Sequence, residues 1–190
     1  MRSFDPRAVG ALECRAWETY YRRKWAAFLV ASVGMVRAAF GMNWPRTALG
    51  AWLVLRANQK WAPFPDNDPD AARALMTRFY RLLAASEGAS FDPARAAQLE
   101  VEWWRAHRED QHDGDDMSAE GLILALRDLY SYSYSAEPSG VRQAAELRAE
   151  AMDVSDRWVA AGCDPEDPAL AQERALLVRS YAALLAAVHR

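Results

Sequence analysis

The chain has 190 residues, of which 52% are apolar and 26% charged, and its formal net charge is −3 at neutral pH. A chain of this length buries about 70% of the surface that its unfolded form exposes. We therefore expect one compact domain over residues 1–190 and no extensive disorder. The small negative net charge predicts no general attraction to nucleic acid or to an anionic membrane, so neither is an expected partner.

The longest apolar run extends from Trp25 to Val36, which is too short to cross a bilayer and indicates a buried helix. The first residues lack the apolar core of a secretion signal. The two cysteines, Cys14 and Cys163, have neither the number of a disulfide scaffold nor the spacing of a zinc site. These features predict reduced thiols and a cytoplasmic location.

The first predicted helix begins after Asp5, because an aspartate can cap free backbone N–H groups and Pro6 fits the first helical position. Its apolar spacing continues toward Phe40, with a possible bend near Gly34. A second helix is predicted from about Pro45 to Trp61, capped by Asn43. A third is predicted to begin at Asp68-Pro69.

Several residues of the first half of the chain recur in the same order in the second half. Phe4-Asp5-Pro6, Leu12, Glu13, Trp17 and Tyr20 are answered 87 residues later (91 − 4) by Phe91-Asp92-Pro93, Leu99, Glu100, Trp104 and His107. Arg73-Ala74-Leu75 likewise returns 101 residues later (174 − 73) as Arg174-Ala175-Leu176. Matched segments in the same order predict two tandem repeat units, residues 4–88 and 91–189.

In the second unit, the helix that begins at Pro93 is predicted to end at the acidic stretch 109–116. An additional helix is expected from about Met117 to Tyr130, and the alternation of Tyr130, Tyr132 and Tyr134 with serines is compatible with locally extended chain. Two further helices are predicted, at about 139–161 and after Pro168. The fold class is therefore all-α: a bundle of about seven helices, built from two pseudo-symmetric three-helix units.

Glu13 and Glu100 occupy equivalent places on helical faces that the apolar pattern predicts to be buried. A buried carboxylate needs a partner. We favour an ion pair within each unit, which would hold the first helix to the third. The candidate partners are Arg73 or Arg78 for Glu13, and Arg174 or Arg179 for Glu100.

The alternative is a metal site in the bundle, with Glu13, Glu100 and His107 as ligands of iron or manganese. Such carboxylate-rich sites are usually marked by Glu-x-x-His, and this chain does not contain that motif. The metal site would make the protein an oxidoreductase.

Eight tryptophans exceed the usual need of a bundle of this size, and some of them are expected to line a pocket or groove. No phosphate loop, serine-hydrolase elbow or zinc-protease motif is present, and no catalytic residue can be named. The sequence favours a non-enzymatic binding module without a cofactor, which takes a partner protein or an apolar small molecule. Its candidate ligand-binding residues are Glu13, Trp17, Tyr20, Glu100, Trp104 and His107.

Overall fold

The computed structural model describes residues 3–88, 91–113 and 116–189, with backbone alone at residues 87, 112–113 and 116–118. Regular structure in these ranges is entirely helical. The helices are α1 (Pro6–Tyr21), α2 (Trp25–Phe40), α3 (Trp44–Trp61), α4 (Pro69–Glu87), α5 (Pro93–Asp113), α6 (Asp116–Tyr134), α7 (Pro138–Ala160) and α8 (Ala169–Val188). The all-α class is confirmed, but the described chain forms eight helices, not about seven.

The helices form a closed ring. Each one packs chiefly against its predecessor and its successor in the chain, and α8 returns to pack against α1. Most of the buried apolar side chains belong to one cluster, to which helices from α2 to α8 contribute. The core is therefore the interior of the ring, where side chains from distant parts of the sequence meet.

Local side chains begin several of these helices as the sequence predicts. Asp5 Oδ1 accepts from the N–H of Arg7 at 2.9 Å, and Asp92 Oδ1 accepts from the N–H of Ala94 at 2.9 Å. Asn43 caps α3 in the same way. Each cap satisfies a backbone donor that has no partner within the helix.

The predicted single helix from Pro6 to about Phe40 is in fact two helices, because the chain turns after Tyr21. Arg23 has a φ of +55°, in the left-handed region. The N–H of Lys24 donates to the carbonyl of Thr19 at 2.8 Å, and the N–H of Arg23 donates to that of Tyr20 at 2.9 Å. This pair of bonds is the Schellman arrangement, which closes α1 and redirects the chain.

The region of Tyr130, Tyr132 and Tyr134 is helical, so the expectation of extended chain there is wrong. Helix α6 includes all three residues. Tyr130 and Tyr134, four positions apart, both face the interior of the ring. The helix ends where Ser135 adopts a φ of +51°.

Helix α5 also extends further than predicted, through most of the acidic stretch to Asp113. Gly114 and Asp115, near the end of that stretch, lie outside the described residues.

The described ranges therefore contain four helices before residue 89 and four after residue 92, where three-helix units with one additional helix were expected. Duplication of residues 4–88 in 91–189 remains a prediction. Within the described ranges, no helix is both long and apolar enough to cross a membrane.

Candidate functional site: an aromatic cavity inside the helical ring

All eight helices contribute side chains to a cavity inside the ring. Its volume is about 180 Å³, somewhat more than the ~150 Å³ of an apolar protein cavity that admits benzene. Aromatic rings form much of the wall, among them Trp17, Phe79, Tyr80, Trp103, Trp104 and Tyr181. Such a wall suits a small molecule with a largely apolar surface.

Arg148 of α7 is the principal cation of this cavity. It is buried and forms an ion pair with Glu13 of α1, and it donates to the hydroxyl of Tyr130 at 3.0 Å. Its guanidinium carbon lies 4.9 Å from the centre of the Trp103 ring and 5.9 Å from that of Trp17. Burial by itself lowers the pKa of Arg148, but the Glu13 carboxylate, Tyr130 and Tyr181 together outweigh this effect and hold that pKa well above its ordinary value.

Glu100 of α5 has a different set of partners. Its carboxylate accepts from the hydroxyl of Tyr80 at 2.7 Å and from Nε1 of Trp104 at 3.2 Å. Burial raises the pKa of Glu100 above its ordinary value, although these hydrogen bonds and the charge of Arg148 act in the opposite direction. Glu100 is therefore easier to protonate than a glutamate in water.

Four polar atoms of the cavity residues make no hydrogen bond of normal geometry within the described chain. They are Glu13 Oε2, Trp103 Nε1, Ser133 Oγ and Arg148 Nε. Each of the four residues is 9% exposed or less. Buried polar groups normally have partners, so the absence of a normal hydrogen bond at these four atoms is unusual in residues that line a cavity.

A second cavity, of about 240 Å³, adjoins the first and shares Trp17, Phe28, Asn58, Trp103 and Trp104 with it. Its further wall is more polar. His107 Nε2 lies 3.0 Å from Asp156 Oδ2. Arg23 and Arg108 also line it, and the guanidinium carbon of Arg108 lies 4.3 Å from the centre of the Trp61 ring. The two cavities therefore share part of their aromatic wall.

The six residues predicted to bind a ligand all line one or both cavities. Glu13 and Glu100 line the first, Tyr20 and His107 line the second, and Trp17 and Trp104 line both. Trp104 is buried, whereas Trp17 is only partly buried.

The three residues predicted as metal ligands, Glu13, Glu100 and His107, each bond to a different group. Glu13 is paired with Arg148, and His107, which lines the second cavity, is paired with Asp156. In the part of the chain that the structure describes, no group of three or more His, Cys, Asp or Glu side chains could hold a metal ion.

The arginine partners expected for the two glutamates are wrong. Glu13 pairs with Arg148, and Glu100 is bonded to uncharged groups. Arg73, Arg78, Arg174 and Arg179 are all exposed on the outside of the ring. Closure of the ring through α8 allows the Arg148 side chain of α7 to reach Glu13 of α1, which sequence order alone does not indicate.

Arg148, the central residue that sequence reasoning missed, did have a signal. It lies four residues after Ala144 and four before Met152, both buried. A charged residue on an apolar helical face must be paired, and the same reasoning that identified Glu13 applies to it.

Comparison of the chain with protein-family models, curated proteins and solved structures gives no match. The case for a function therefore depends on the geometry of the two cavities.

Proposed function

We propose that the protein binds a small, largely apolar molecule inside the ring of helices. The observation that carries this proposal is an aromatic cavity lined by residues with four buried polar atoms that make no hydrogen bond of normal geometry within the described chain. A wholly apolar interior would need no such groups, and a purely structural polar network would satisfy them internally. The expected ligand has an apolar body with at least one hydrogen-bonding group.

The two cavities also limit the size of the ligand. The first cavity alone accommodates about one aromatic ring, as its volume of about 180 Å³ indicates. A longer molecule would extend past Trp103 and Trp104 into the second cavity. No catalytic arrangement follows from these side chains, so we assign binding and not a reaction.

Toluene and p-cresol provide a matched pair of probes, since they differ only by a hydroxyl group. We expect both to raise the unfolding temperature, with p-cresol more effective because its hydroxyl can pair with Glu13 Oε2 or Ser133 Oγ. A ligand at a hundred times its Kd stabilises by about 2.7 kcal/mol, a shift of several degrees. Organic extracts of freshly purified protein, examined by mass spectrometry, test for the natural occupant.

Ser133→Phe places a ring in the first cavity and should abolish both shifts. Ala39→Phe fills the same cavity from α2 and serves as an independent version of this variant. Ser139→Phe, at an exposed position of α7, is the matched control and should bind as the wild type does. The proposal is wrong if neither probe stabilises the wild type and the extracts contain no bound molecule, or if folded Ser133→Phe binds normally.

A further inference from the structure

The net charge of −3 is distributed unevenly along the chain, with an excess of basic residues in the first third and of acidic residues in the remainder. Residues 1–65 contain 10 basic and 3 acidic residues, whereas residues 66–190 contain 13 basic and 23 acidic residues. Between Glu18 and Asp66 there are seven basic residues and no acidic one. This basic segment comprises α2, α3 and their connections.

The same segment contains the exposed large apolar side chains of the described structure. They are Val30, Trp44, Leu49, Trp52 and Phe64, and Trp44 and Trp52 are 63% and 50% exposed. Leu49, Trp52 and Arg56 follow helical spacing along one side of α3. Val30 and Arg37, seven positions apart, lie on one side of the neighbouring α2. We call this outward surface of α2 and α3 the basic aromatic face.

The arginines of this face donate to uncharged oxygens. Arg37 donates to the carbonyl of Met42, Arg46 to Ser86 Oγ at 3.4 Å, and Arg56 to Gln59 Oε1 at 3.0 Å. Their positive charge is thus available to an external anionic partner.

Two of these arginines lie against exposed indole rings. The guanidinium carbon of Arg37 is 4.5 Å from the centre of the Trp44 ring, and that of Arg56 is 5.9 Å from the centre of the Trp52 ring. Each of these charges therefore lies next to an exposed ring. Tryptophan settles at the headgroup level of a bilayer, where lipid phosphates also lie.

We propose that the basic aromatic face docks onto the surface of an anionic lipid bilayer, with Leu49 and Trp52 entering the headgroup region and the arginines contacting lipid phosphates. Peripheral docking requires no membrane-spanning helix. The face lies on the outside of a closed ring, while both cavities lie within it. Single apolar side chains between arginines suit a deformable anionic surface.

The test is cosedimentation with vesicles of pure phosphatidylcholine and with vesicles of equal parts phosphatidylcholine and phosphatidylserine. We expect binding to the anionic vesicles only, weakening as salt is added. Each arginine near such a surface contributes about fivefold to partitioning, so Arg37→Gln, Arg46→Gln and Arg56→Gln together should weaken binding on the order of a hundredfold. The double variant Leu49→Ser and Trp52→Ser should also bind more weakly.

The matched control is Arg95→Gln, Arg174→Gln and Arg179→Gln together, which removes three exposed arginines from α5 and α8. It should bind as the wild type does. Equal loss in both triple variants, or no binding by the wild type, overturns the proposal. Retention on polyglutamate without vesicle binding would instead identify an acidic polypeptide as partner. A lipid-free increase in molecular mass, abolished by the first triple variant, would identify a second copy of the chain.

Discussion

Glu173 of α8 provides a quantitative test of the packing inside the ring. Its side chain is fully buried, and neither carboxylate oxygen makes a hydrogen bond of normal geometry within the described chain. Burial raises the pKa of Glu173 to about 8, although Cys14 and Ser155 lie close enough to lower it, and the charges of Glu13 and Glu18 raise it further. The folded protein therefore holds a proton that the unfolded chain releases near pH 4.5.

The sign of the pH dependence follows from this difference in proton binding. Stability from the protonated carboxyl is fully present below about pH 4.5 and is lost as the pH rises through about 8. Each unit of pKa shift corresponds to about 1.4 kcal/mol, so the free energy of unfolding should fall by roughly 4–5 kcal/mol across this window.

Urea unfolding of the wild type and of Glu173→Gln, at several pH values across the window, measures the effect. The other titrating groups are common to both proteins. The free energy of unfolding of Glu173→Gln, relative to that of the wild type, should therefore rise by roughly 4–5 kcal/mol as the pH increases across this window. Glu150→Gln, at an exposed position of α7, is the matched control, and its profile should parallel that of the wild type. A difference between Glu173→Gln and wild type that is independent of pH would refute the assignment of a buried, protonated carboxyl.

Glu13→Gln should lower the free energy of unfolding by about 3–5 kcal/mol, because it leaves a buried guanidinium without its counter-charge. Glu100→Gln should lower the free energy of unfolding by less, because the partners of Glu100 are uncharged and an amide oxygen can still accept one hydrogen bond. Equal losses for the two variants in denaturant unfolding would contradict this ranking. Wild-type protein purified without chelator should contain no stoichiometric iron, manganese or zinc by elemental analysis. Burial and the nearby Glu173 raise the pKa of the Cys14 thiol far above its ordinary value, so under native conditions iodoacetamide should modify Cys163 first. Peptide mapping checks this order, and faster labelling of Cys14 would show that α1 opens readily.

The helix starts could be predicted because each depends on neighbouring residues. Asp5 and Asp68 act on backbone donors within three positions of themselves, so a short stretch of sequence contains the whole interaction. The end of α1 could not be predicted in the same way. Its left-handed residue is Arg23, where glycine would have been the usual signal. The missed turn joined two helices into one and led to the wrong count.

The sequence predicted which residues line the candidate site, but not which of them bond to one another. Helical spacing placed Glu13 and Glu100 on inward faces, and both line the first cavity. Which arginine meets Glu13 depends on the closure of the ring between α1 and α8, an interaction between the two ends of the chain. Local patterns contain no information on that closure, so Arg148 could be recognised only as another inward-facing charge.

The different partners of the two glutamates define the chemistry of the cavity. Under the predicted duplication, counted from the pairs Lys60-Trp61 and Arg157-Trp158, Arg148 would correspond to Ala51, which is buried. Among the residues that line the first cavity, Arg148 is the one arginine, whereas two glutamates, Glu13 and Glu100, contribute carboxyl groups. Arg148 is paired with Glu13, so Glu100 has no counter-charge of its own. A cationic ligand beside Glu100 would favour its ionised form and bind more tightly as the pH rises. A neutral ligand that accepts a hydrogen bond would favour the protonated form and bind more tightly as the pH falls, so the sign of the pH dependence identifies the class of ligand.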